Sequence, residues 1–551
     1  MRHNQPKTPV VIPITLAICL LPLAFIGLDF SDMGYHFINQ SNLEYFPILL
    51  RTTAYYWLSD SIPGIFISLF KLPLVIFRLL GILIWLANAV LCFRLTHKLI
   101  QYFSGVSPSL KTLGFCVLPA VLFSMKPTPT PLVIPDYYTI PIPFLVFLLI
   151  QLVPTKDRII RNSQLFSIIS VLFILPFLRW PLLLVSIFGY CFLIFFSPKL
   201  RWKQRLPISL FFVMQILFLG VYKFRFLDLF LAKDSMPTGY LLGILSIYQS
   251  ELVLLKSNLI VILVAITGFI LLRRKKVFLQ IYMHILVGFF TYLFFKNFEF
   301  GPQSPQSTLM SYLTFHLLFA SSILIFFLFV KSKTKLSLSM PFLLVLLSFP
   351  FLYFVGTNTG LRKSGYLAFL ALTPTFYVLV THYVNKRERF SALFLLNVLA
   401  LTFLYSNVYR DSVAKIRTSP RLLFDSVLGV VLTNELYATA IEDFKTLVAT
   451  QAQFSNPFLI FPNTPLLYAY VKKYNIDMVW LEIKPDLQLY VQNICADKHY
   501  TVIFSKISLV EMGDSDHLIY SDTKIADSLI KNCHYIVTRQ SKFFQVLQSA
   551  N

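Results

Sequence analysis

The chain has 551 residues, of which 56% are hydrophobic and 13% charged, with a mean hydropathy of +0.70. Ordinary soluble domains carry roughly a quarter charged residues, so this composition excludes a string of soluble domains. The formal net charge of +23 does not indicate nucleic acid, because residues 1–410 hold 35 Lys/Arg and 11 Asp/Glu while residues 411–551 hold 13 and 14. The excess lies in the apolar part, where short basic loops orient helices in a bilayer.

Residues 1–28 place Arg2 and Lys7 before an apolar run, with no small-residue cleavage site after it. They read as an uncleaved first helix. A hydrocarbon core of roughly 30 Å needs about 20 apolar residues per helix. Predicted spans follow at 10–28, 73–95, 110–125, 140–153, 164–178, 181–196, 207–222, 257–272, 277–295, 309–330, 337–355, 366–384 and 390–406. Alternate loops read RHNQPK, THKLIQYFSGVSPSLK, PTKDRIIRN, SPKLRWKQR, RRKK, KSKTK and NKRER, all basic with hardly any acid. The positive-inside rule assigns such loops to the cytoplasm. The expected fold is therefore an α-helical polytopic membrane protein of about thirteen transmembrane helices, N-terminus inside and C-terminus outside.

Residues 1–406 form the predicted membrane domain, with external loops at 29–72 and 126–139. Residues 407–551 form a predicted external domain. In that region PFLIFPN, IDMVWLEI, HYTVIFS and HYIVTR are strand-like, among helix-like NELYATAIEDFKTLVAT, TPLLYAYVKKYN and PDLQLYVQNICADK. Alternation of this kind predicts a soluble α/β domain with a largely parallel sheet. It carries no Gly-rich phosphate loop, and the chain has no internal repeat or low-complexity linker. Cys495 and Cys533 fall here and are able to pair if the domain faces an oxidising compartment. No spacing motif decides the matter, and the sequence leaves the pairing open.

Nine carboxylates of the membrane half fall in predicted outside loops, and the sharpest group is LDFSDMGYHFINQSNLEYF. Asp29 and Asp32 are three apart, so a helical turn would put both on one face, able to hold a metal or share a proton. The ordinary alternative is an acidic solvated loop. Residues 43–71, with Tyr45, Phe46, Tyr55, Tyr56 and Trp57, are expected to lie in the membrane interface as an anchor or lid. The next loop, KPTPTPLVIPDYYTIPIP, offers Asp136, Tyr137 and Tyr138. Asp136 stands immediately before an apolar helix, where capping competes with catalysis as its reason. Arg179 in FLRWP, and Asn358, Arg362 and Lys363 in GTNTGLRKSGY, bring donors and cations to the outside face, suited to phosphate oxygens. Lys71 and Arg78 are weaker candidates of the same kind, and ordinary headgroup binding or snorkelling is the competing account.

With those residues in place the chain resembles the GT-C glycosyltransferases, which include protein O-mannosyltransferases, lipid A aminoarabinose transferases and the oligosaccharyltransferase catalytic subunit. The likeness covers the layout of the whole membrane region. At residue level SDMGYHF resembles the acidic motif of the family's first outside loop, and PDYYT its acidic second loop. The sequence departs from the pattern at Met33, where many members carry Glu. The resemblance implies inverting transfer of a sugar from a polyprenyl-phosphate donor to a lipid, glycan or protein acceptor at the outer, periplasmic face of a bacterial inner membrane. Asp32 is then the catalytic base, helped by Asp29 and Asp136. Arg179, Arg362, Lys363 and Asn358 hold the donor phosphate, and Tyr35, His36, Tyr137 and Tyr138 line the acceptor side or a lid. No His/Cys metal spacing is present, and a cation, if used, would be Mg²⁺ or Mn²⁺ on carboxylates. The alternatives are an O-antigen polymerase or ligase, a lipid or solute transporter, and a non-catalytic scaffold. A transporter is expected to show mid-membrane polar residues and repeated halves.

Overall fold

The computed structural model describes residues 11–30, 32–41, 57–105, 107–125, 133–136, 138–154, 162–179, 182–196, 202–221, 340–354, 364–383, 419–449, 456–461, 464–471, 500–507 and 523–550, with a few isolated positions elsewhere. These residues are mostly helical, with a small sheet region toward the C-terminus.

Helices α1 (Val11–Phe25), α2 (Asp32–Ser41), α3 (Trp57–Phe70), α4 (Leu74–Ser104), α5 (Leu110–Ser124), α6 (Pro141–Leu152), α7 (Asn162–Leu178) and α8 (Leu182–Cys191) come first. A π-helical turn, Phe192–Phe196, extends α8, and α9 (Trp202–Val221), α10 (Met340–Phe354) and α11 (Ser364–Tyr383) follow. Helices thus stand at each apolar stretch read from sequence that lies in the described residues. The stretches 257–272, 277–295, 309–330 and 390–406 lie outside them.

Helix α4 is the axis of the bundle, packing against α1, α5, α6 and α11. Its 31 residues span about 46 Å, and among the described residues it is the one helix both long and apolar enough to cross a membrane. It also continues past residue 95, through half of what the sequence suggested was a cytoplasmic loop. THKLIQYFS keeps burying Thr96, Leu99, Ile100 and Tyr102 after hydropathy falls. Lys98 reaches back along it to donate to the Ile150 carbonyl at 2.9 Å, closing the C-terminal turn of α6.

The C-terminal region begins with an antiparallel hairpin, β1 (Pro420–Asp425) and β2 (Gly429–Asn434), and α12 (Glu435–Val448). Asn434 caps α12, its side chain accepting from Tyr437 N at 2.9 Å. Then come β3 (Phe458–Phe461), a 3₁₀ turn (Pro465–Tyr470), β4 (Thr501–Ser505), α13 (Lys524–Cys533), β5 (Tyr535–Gln540) and β6 (Phe544–Ser549). The second sheet has the order β3-β4-β6-β5. Only β3–β4 is parallel, and β4–β6 and β6–β5 are antiparallel, so the expected largely parallel sheet is a mixed one. The three residues between β5 and β6 are too few for a crossover and dictate a hairpin. IDMVWLEI lies outside the described residues. Cys495 and Cys533 form a disulfide, their Cα atoms 5.1 Å apart.

This region is docked on the helices. Gly27 N donates to Leu432 O at 2.8 Å, Leu74 N to Val427 O at 2.9 Å, and Leu466 N to Phe30 O at 3.0 Å. The rings of Phe30 and Tyr437 meet edge to face at 5.0 Å. At Gly34, on α2, the 3₁₀ turn comes so close that a Cβ would stand 2.7 Å from Leu466 Cα.

Because neither backbone can easily give way, Gly34→Ala is expected to weaken docking by about 1–3 kcal/mol, the usual range for overpacking. Limited proteolysis should then cut within the C-terminal region faster, and an unchanged rate would remove Gly34 from the docking interface. Cys495→Ser should lower the stability of the sheet region by about 2–4 kcal/mol. A peptide map lacking the linked Cys495–Cys533 pair in the unreduced wild type would contradict that bond.

Candidate functional site

Two connections meet at the end of the bundle where α1 stops and α6 begins. The first is the acidic turn between α1 and α2. Its shape depends on Arg78 of α4, which is fully buried and donates to Ala24 O at 3.1 Å, Gly27 O at 2.7 Å and Met33 Sδ at 3.1 Å. Helix α1 ends with unsatisfied carbonyls, and a cation there answers both their hydrogen-bonding need and the helix dipole. Arg78 therefore builds the scaffold rather than offering its fork to a ligand. Lys71 sits at the α3–α4 corner with a φ of 47°.

Asp29 is buried in this turn, ahead of α2, and its Oδ2 accepts from Met33 N at 3.3 Å. Helix α2 starts only at Asp32. Asp29 thus precedes the helix rather than lying on it, and serves the exposed amides of the helix start. The Asp32 side chain, Tyr137, Asn358, Arg362 and Lys363 lie outside the described residues. Met33 is buried, its Sδ accepting from Arg78.

The second connection carries Asp136. Gly81 on α4 admits it, since a Cβ there would come within 2.7 Å of Ile134 Cα. Asp136 Oδ1 accepts from Tyr138 N at 3.0 Å, Thr139 N at 2.7 Å and Thr139 Oγ1 at 2.7 Å. Thr139 Oγ1 also lies 2.8 Å from Ile134 O. This is an Asx-type turn feeding α6, and the capping account of Asp136 describes the structure well. One oxygen carries all the hydrogen bonds the carboxylate receives from described residues, leaving Oδ2 for another partner. Burial pushes the Asp136 carboxyl above its ordinary value, and the neighbouring His36 together with the bonds from Thr139 and Tyr138 offsets only part of that.

Helix α2 joins the two connections. Gln40 donates to Pro135 O at 2.8 Å, and His36, one turn earlier and buried, lies near enough to Asp136 to act on its charge. Tyr35 is half-buried, its ring 5.5 Å from that of His36. On the far side of Asp136, the Arg179 guanidinium lies 4.5 Å over the Tyr138 ring and 4.4 Å over the Tyr353 ring. Arg179 Nη1 lies 3.4 Å from Tyr353 O, and Tyr353 Oη donates to Tyr138 O at 2.8 Å. Ser59 of α3 closes over this end by donating to Leu178 O at 2.7 Å. Asp29, His36, Asp136, Tyr138 and Arg179 are all buried at one end of the bundle. Tyr353 and Gln40 belong to the same cluster and carry no sequence signal beyond a polar group beside an apolar run.

Polar side chains occur within the helices. Asn88 donates to Ser124 Oγ at 3.5 Å, and Gln215 to Leu172 O at 3.0 Å and Phe173 O at 2.9 Å. They are neutral and tie helix to helix. Among the described residues no group of three His, Cys, Asp or Glu could hold a metal ion. No family model and no curated protein matches the chain.

The direction of the Asp136 shift gives a test. A carboxyl that holds its proton more tightly folded than unfolded favours the fold below its ordinary value of 3.8, and that contribution is lost as pH rises through the raised value. Asp136→Asn keeps an accepting oxygen and abolishes the titration. The thermal midpoint of the wild type, relative to this variant, should fall with rising pH across the acidic range and then level off. A difference that stays flat over the whole range would mean that burial does not perturb this carboxyl.

Proposed function

We propose that this chain is a multispan membrane glycosyltransferase that moves a sugar from a polyprenyl-phosphate-linked donor to an acceptor at the outer face, with inversion. In this reading about thirteen helices cross the membrane, the N-terminus is cytoplasmic, and residues 407–551 face the periplasm. The observation that carries it is the joining of two acidic connections by α2, through Gln40 and Pro135, with His36 beside Asp136 at one end of the bundle. The alternating basic loops favour the topology. The Cys495–Cys533 disulfide favours an oxidising compartment for the C-terminal region.

The roles follow from the chemistry. Asp32 takes the proton of the acceptor hydroxyl as its oxygen attacks the anomeric carbon. The bond from that carbon to the phosphate oxygen breaks, and the polyprenyl phosphate departs with the electron pair. Phosphate leaves readily, so cations matter more than a general acid. Arg362, Lys363 and Asn358 hold it. Arg179, fixed between two tyrosines, contributes a positive field from the side of α7. Asp29 and Asp136 are positioning residues, since each already receives backbone amides. Tyr35, His36, Tyr137 and Tyr138 border the acceptor, and the lipid, glycan or protein that fills that role is met beside the docked sheet region. Mg²⁺ or Mn²⁺ remains the choice of cation if the carboxylates recruit one.

The test is sugar transfer from radiolabelled polyprenyl-phosphate donors in proteoliposomes, with a cell-envelope extract as acceptor. Asp32→Asn should lower the rate by about 10²–10⁴-fold, the range for a lost general base, with unchanged expression. Near-wild-type transfer by that variant would reject Asp32 as the base. Absence of transfer by the folded wild type from every donor would turn the reading toward a transporter.

A further inference from the structure

The β1–β2 hairpin has two apolar faces, and only one of them is covered. On the covered face Leu423 and Val431 are buried, and Arg421 and Asp425 turn to α12, where Arg421 pairs with Glu435 and Glu442 and Lys445 with Asp425. On the other face Leu422 stands opposite Leu432, and Phe424 opposite Val430. Phe424 is 70% exposed, Leu422 51% and Val430 40%. A strand alternating between core and water would place polar residues there. This one places phenylalanine, leucine and valine.

The hairpin's attachments say what meets that face. Ile26, the residue after α1, bridges to Leu432, so its side chain joins the same face. Helix α1 leads into this point with Ile14, Ile18, Leu21 and Phe25 exposed at helical spacing, a single stripe down its outer side. The other end of the hairpin is bonded to the start of α4, with Leu74 N on Val427 O and Val75 N on Leu428 O. That corner is entered from α3, whose exposed residues Ile62, Ile65, Phe66 and Leu69 also form one stripe. Both anchor points therefore lie where an exposed apolar helix face runs out. Leu422, Phe424, Val430 and Leu432 continue those faces, with exposed Lys71 at the corner where α3 ends.

We propose that the outer face of the β1–β2 hairpin is a lipid-binding surface that lies in the interfacial layer of the bilayer and holds the C-terminal region against the membrane. It rests on the reading of α1 as a membrane helix, and not on sugar transfer. Exposed apolar patches on soluble surfaces invite association. Here the hairpin is held at the depth where α1 ends and α4 begins, and the acyl boundary is the partner within reach.

Photo-crosslinking in native membranes tests this. p-Benzoylphenylalanine is placed at Phe424 or Val430 on the face, at Ile18 on the α1 stripe, and at Thr446 on exposed α12. Irradiation should add a phospholipid to the chain, detected by intact mass, at positions 424 and 430 as at 18, and several-fold less at 446. Lipid adducts at 18 without any at 424 or 430 would overturn the proposal while leaving the membrane helix standing. Crosslinks from 424 to a second copy or to another protein would overturn it in favour of a protein interface. If position 18 also fails to label, the membrane reading of α1 falls with it.

Discussion

The buried guanidinium of Arg78 is the interaction on which this end of the helix bundle depends. A charge so deep is tolerated only when hydrogen bonds replace the water it has lost. The carbonyls of Ala24 and Gly27 supply them, and in doing so they stop α1 and turn the chain. The turn then delivers Ile26 and Gly27 to β2 and Phe30 to the 3₁₀ turn. One side chain of α4 thereby sets both the start of α2 and the seat of the C-terminal region. Removing its charge would leave carbonyls orphaned at a helix end, which is costlier than losing a surface contact.

The candidate site is built by the same economy of backbone. Gly81 and Gly34 are each a missing Cβ that lets another segment's main chain pass close by. Gln40 fastens α2 to the connection before α6, and Asp136 organises that connection with a single carboxylate oxygen. A carboxylate fixed through one oxygen is held in orientation, and burial keeps its proton affinity high.

Much of this was open to the sequence. Runs of about 20 apolar residues located the helices, and the strand-like segments at β3, β4 and β5 were legible from β-branched and aromatic content. Of the amphipathic stretch before residue 71, residues Trp57–Phe70 form α3. The hairpin β1–β2 escaped because both of its faces are apolar, and the alternation that usually marks a strand is absent from PRLLFD and GVVLTN. β6 escaped because Gln545 and Gln548 dilute the β-branched and aromatic content of FQVLQS. The overrun of α4 was hidden by a polar composition that conceals a continued buried face. Within the site, the Asp136 turn is local, and its DYYT pattern could be read directly. The approach of His36 to Asp136, and of Arg179 to Tyr353, 174 residues apart, is tertiary, and no local pattern encodes it.

The order β3-β4-β6-β5 has a consequence for how the molecule is made. The strand between β4 and β5 is the one synthesised after both. Until Phe544–Ser549 emerges, β4 and β5 each present an open edge toward the gap and cannot close on one another. The sheet is therefore completed by insertion rather than by growth from one side. A ribosome stalled before residue 544, or a frameshift there, would leave two unpaired edges, and such a product should be recognised by quality-control proteases rather than accumulate as a shortened protein.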